Sequence, residues 1–168
     1  ATFGGLDWSS GAVWAAFVSA VLSTVAMWRL FFSQAHESAS HAIMHSDDPG
    51  RMARRAYTYS PILVIAGIIV VAVSDELVLA HPGGHVATAT ALTLLGGPIL
   101  FLLGTAVASW AIWRTVAWTR LVGCVVLATG WLVLPWMTPL ILSIVTTMVL
   151  MAVGLWETVR LGDARTPV

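Results

Sequence analysis

The chain alternates between long apolar runs and short polar joints. Runs at residues 62–73, 89–112 and 121–134 hold no basic residue. Read in windows of about 20 residues, the sequence yields five apolar stretches. They fall near residues 12–32, 56–80, 87–113, 118–134 and 136–156. A helix of that length rises about 30 Å, the thickness of a bilayer's hydrocarbon core. A polar segment from Ser33 to Arg55 separates the first two stretches, and His81-Pro82-Gly83-Gly84-His85 closes the second. The fourth is the shortest, and an Arg-containing tail follows the fifth. The pattern predicts an all-α fold: a polytopic transmembrane helix bundle of about five spans in a single domain, without internal repeats.

Gly96-Gly97-Pro98 in the third stretch and Pro139 early in the fifth mark bends. Each either kinks a helix packed in the bundle or breaks one that lines a binding cavity. Ala16, Ala20 and Thr24 recur every four positions, which predicts a face of close helix contact on the first span.

Composition agrees with this picture. The chain is 58% hydrophobic and 10% charged, with a mean hydropathy of +0.88. A soluble domain carries about a quarter charged residues. A pI near 7.2 leaves no basic surface for nucleic acid, so no nucleic-acid partner is expected. The single cysteine, Cys124, lies in an apolar run and permits neither a disulfide framework nor a cysteine-based zinc site. No secretory leader is legible at the start. Arginine without lysine, beside abundant Ala and Val, suits a GC-rich bacterial genome.

Charge supplies an orientation. All eight basic residues are arginines: Arg29, Arg51, Arg54 and Arg55 flank the first connection, Arg114 and Arg120 the third, and Arg160 and Arg165 lie in the tail. The alternate connections hold none. Cytoplasmic loops retain positive charge, so the N-terminus is expected outside and the C-terminus inside. The nine tryptophans fall near the span ends, as residues of the headgroup layer do.

Two constellations offer chemistry. Asp75-Glu76 sits four apolar residues before His81-Pro82, roughly 5–8 Å inside the outer edge of a straight helix. Such carboxylates either end the helix at the interface, or handle a proton or cation with His81 or His85 as titrating partners. The binding candidates are therefore Asp75, Glu76, His81 and His85. The second constellation is Glu37, His41 and His45, spaced by four with Asp48 three further on. On a helix these share a face, either as a solvated amphipathic surface or as ligands for zinc or another divalent metal. No other cofactor is expected. The sequence holds no phosphate-binding glycine loop, nucleophile elbow or haem-attachment motif, and no set of nucleophile, base and oxyanion donor, so no catalytic residue is assigned.

The stretch from Asp48-Pro-Gly-Arg-Met-Ala-Arg-Arg through Tyr57-Thr-Tyr59 to Asp75-Glu76 and His81-Pro82 resembles the bacterial low temperature requirement A (LtrA) family. So does Leu95-Gly-Gly-Pro-Ile-Leu-Phe-Leu-Leu-Gly104. The resemblance implies a multi-pass protein of the bacterial inner membrane associated with growth at low temperature; it carries no settled biochemical activity. Where the family pattern has a His two residues after the second Tyr and a Pro two further on, this sequence has Pro61 and Leu63. The acidic first span and the Gly-Glu-Ser element of longer members do not occur here, which implies the C-terminal half of such a protein.

Three functions follow as expectations. The first is a transporter-like protein with an outward-facing acidic site. The second is a non-catalytic membrane scaffold or half-bundle, completed by missing spans or another membrane subunit. The third is a membrane-embedded enzyme acting on lipid. The lipid bilayer is a partner in all three.

Overall fold

The computed structural model describes residues 9–35, 60–113 and 116–163. The elements are five α-helices: α1 Gly11–Ala35, α2 Ser60–Ala80, α3 Thr88–Trp113, α4 Trp118–Thr129 and α5 Pro139–Asp163, with a 3-10 helix over Gly130–Trp136. No strand occurs among the described residues. Among the described residues, five segments are long and apolar enough to cross a membrane, the fourth combining α4 with its 3-10 continuation. The tighter coil explains how so short a run spans. At 1.5 Å per α residue and 2.0 Å per 3-10 residue, Trp118 to Trp136 reaches about 32 Å.

Prolines mark the starts of two helices. Pro61 sits in the first turn of α2, where a missing N–H costs nothing. The fifth helix begins at Pro139, so this residue initiates a span instead of bending one. Thr138 caps it, its hydroxyl accepting from the Ile141 N–H at 3.3 Å. At the other end of the second span, His81-Pro82 ends α2, and Gly84 turns the chain with φ +90°, a conformation open to glycine. The Leu140 N–H donates to the Pro82 carbonyl at 3.2 Å, tying this turn to the start of α5.

In hydrocarbon, apolar burial does not drive helices together, so packing and small residues must. The α2–α3 hairpin is the most extensive helix pairing, and glycines set its spacing. A Cβ at Gly67 would lie 2.6 Å from the Phe101 nitrogen, one at Gly97 2.9 Å from the Val71 nitrogen, and one at Gly104 2.8 Å from the Val64 nitrogen. Steps of three and four along α2 thus match equal steps back along α3, an antiparallel register of backbone on backbone. Gly97-Pro98 therefore serves close approach, and α3 runs unbroken through Pro98.

The first helix joins mainly to α5. Its buried stripe is Val13, Ala16, Ser19, Ser23, Ala26, Met27 and Leu30, so Ala16 contributes to the contact face while Thr24 is exposed. The Ser19 hydroxyl shares hydrogen bonds with Ser143 (3.0 Å) and Thr147 (3.1 Å) across the α1–α5 seam. Two apolar clusters lie on either side of this hydroxyl layer. One centres on Phe101 and Leu102, the other on Leu94 and Leu142.

A crevice ending at Asp75 and a buried ion pair

Because α1 leans on α5, it diverges from α2 and leaves a crevice of about 310 Å³ between them. Its floor is Met27, Val71 and Phe101, all buried. Its walls are Trp28, Phe31 and Phe32 from α1 and Ile68 and Ala72 from α2. The aromatic wall is ordered by mutual packing: the Trp28 and Phe32 rings lie 5.1 Å apart, and Phe31 meets Phe32 edge-on at 5.5 Å. Asp75 and Thr24 are the two polar residues of the lining. The Thr24 hydroxyl donates to the Ala20 carbonyl at 2.9 Å, leaving its oxygen free to accept. Asp75 is half-buried and makes no hydrogen bond or ion pair among the described residues. No basic residue among the described residues lines the crevice.

The other acidic-site candidates lie elsewhere. Glu76 is exposed, one helical step of about 100° from Asp75. His81 and His85 are exposed at the α2–α3 turn. Glu37, His41 and His45 lie outside the described residues. Among the described residues, no three of His, Cys, Asp and Glu gather into a metal-binding set.

The structure also contains a polar site that the sequence pattern does not reveal. Arg120, read from the sequence as flanking the third connection, lies in the first turn of α4 and is 1% exposed. Its Nε and Nη2 donate to Glu157 Oε1 and Oε2 at 2.8 and 2.9 Å, a bidentate pair between α4 and α5. Nη1 donates to the Ser109 hydroxyl of α3 at 3.3 Å, and the Thr119 hydroxyl donates to Glu157 Oε1 at 3.1 Å. Three helices are thereby joined at the bundle end opposite the α2–α3 turn. The available signal was Glu157 itself, an acid near the end of the fifth span. An intramembrane acid calls for a partner, and Arg120 is the basic residue at the start of the adjacent span.

Comparison with known proteins places this architecture. The sequence matches the description "Bacterial low temperature requirement A protein (LtrA)" over residues 1–155. It is 30% identical over 164 residues to an uncharacterized protein of Rhizobium meliloti (strain 1021), a match covering 98% of this chain and 40% of that relative. The chain thus spans about 40% of the length of the curated relative it matches. No solved structure matches it. With five bilayer-length apolar helices and a family match over nearly its whole length, this multi-pass membrane protein belongs to the bacterial low temperature requirement A family.

Proposed function

We propose that the protein is transporter-like and acts in the bacterial inner membrane, with Asp75 as the carboxylate that takes up and releases a proton or cation. One observation carries this reading: a half-buried carboxylate without a partner among the described residues, at the end of an otherwise apolar crevice. An ionised carboxylate in hydrocarbon is costly by several kcal/mol unless it is neutralised. The group is therefore stable in two conditions, protonated or facing a bound cation. Exchange between the two is what couples a charge to movement. The arginine asymmetry supports an orientation with the α2–α3 turn outside and the C-terminus inside, which puts Asp75 towards the outer face.

Proton or cation flux in vesicles containing the full-length protein tests this. Asp75→Asn is expected to abolish the flux; a flux that survives it, or none in the native protein, sinks the reading. A scaffold or half-bundle completed by further spans or another subunit is the second reading, favoured by coverage of only 40% of the matched relative. It predicts no flux at all.

A further inference from the structure

The crevice points to a chemical class of ligand. We propose that it binds a lipophilic organic monocation, reached sideways from the bilayer, with its charge at Asp75 and its apolar body against the aromatic wall of α1. This rests on the reading of Asp75 as a cation-handling group and deepens it. Three features select that class. Among the described residues the lining offers one negative charge, no positive charge and one further hydroxyl acceptor, Thr24, which suits a monocation. The rest is apolar, so an inorganic ion would lose its water there without replacement oxygens. Hard cations require several oxygen ligands, and the lining provides too few.

Aromatic faces supply what the oxygens do not. Trp28, Phe31 and Phe32 present rings whose quadrupoles attract an organic cation, most strongly one with diffuse charge. At about 310 Å³ the space lies at the lower end of small-molecule sites, enough for a compact ligand. Access is lateral because the side chains that frame it are exposed on the bundle's outer surface: Trp28, Phe31, Phe32 and Ile68 are 42–62% exposed. Among the described residues, nothing separates these side chains from a solute dissolved in the bilayer.

Tetraphenylphosphonium is a suitable probe, measured by equilibrium dialysis against full-length protein in nanodiscs, with empty nanodiscs subtracted. Saturable binding is expected, weakened at least tenfold by Asp75→Asn and unchanged by Glu76→Gln. Ala72→Trp, which fills the crevice with the carboxylate intact, should also abolish it. That variant keeps the test decisive if Asp75→Asn does not fold. Absence of saturable binding, or binding indifferent to both Asp75→Asn and Ala72→Trp, overturns the proposal. Equal affinity for tetramethylammonium would overturn the lipophilic class. If Asp75-dependent proton flux persists while tetraphenylphosphonium fails to bind, the ligand class falls and the transport reading stands. If flux is also absent, both fall.

Discussion

Removing one partner of the Arg120–Glu157 pair should destabilise the bundle far more than removing both. Arg120 is 1% exposed and donates to Glu157 through two parallel bonds of 2.8 and 2.9 Å, with Ser109 and Thr119 completing the set. Glu157→Ala leaves the guanidinium buried with only a hydroxyl acceptor. Loss of one member of a buried pair costs about 3–5 kcal/mol, largely the uncompensated charge. Glu157→Gln keeps one acceptor oxygen and should cost less than Glu157→Ala. The double variant Arg120→Met with Glu157→Leu removes both charges and retains packing volume, so it should fall within about 2 kcal/mol of the native protein. The single variants Arg120→Met and Glu157→Leu complete the double-mutant cycle; at about 3–5 kcal/mol each, they imply a coupling energy of at least about 4 kcal/mol. Reversible unfolding in mixed micelles, followed by helical circular dichroism, measures all four proteins under one condition. Single variants costing under about 1 kcal/mol, or a double variant as unstable as the sum of the singles, would refute the reasoning.

Four further outcomes follow. Gly67→Ala drives a methyl against the Phe101 backbone and should lower stability in the same unfolding assay by about 1–3 kcal/mol, as overpacking does. Gly96→Ala, with nothing within 4 Å of the added carbon, should be neutral or gain up to about 1 kcal/mol. Ser19→Ala removes the link to Ser143 and Thr147, and membrane hydroxyl bonds average about 0.6 kcal/mol, so a loss under about 2 kcal/mol is expected in that assay. In a Cys124→Ala background, Gly83→Cys should react with a membrane-impermeant maleimide added outside intact cells, since the proposed orientation, drawn from the positive-charge pattern, has that turn outside.

The spans were legible because hydropathy over 20 residues is a local property, and the bilayer makes it nearly sufficient. What required tertiary structure was legible in part. Pro139 reads as a kink when the span is drawn from residue 136, yet Thr138 directly before it marks a cap and a first-turn proline. Arg120 counts only as a charge flanking the third connection until its partner 37 positions away is seen. Ala16, Ala20 and Thr24 share a spacing of four, but the packed stripe drifts through Ser19 and Ser23 and leaves Thr24 to the crevice. Asp75 announces itself as an acid in an apolar run. Its surroundings do not, because α1, α2 and α3 each contribute to them.

Adjacent acids of unlike placement give the most direct test of the account. Asp75 faces the crevice while Glu76 is exposed, so the two differ in surroundings but hardly in depth. Proton or cation flux should be measured in vesicles holding equal amounts of full-length native, Asp75→Asn and Glu76→Gln protein. The account predicts flux lost with Asp75→Asn and kept with Glu76→Gln. Equal loss in both, or loss with Glu76→Gln alone, would contradict it.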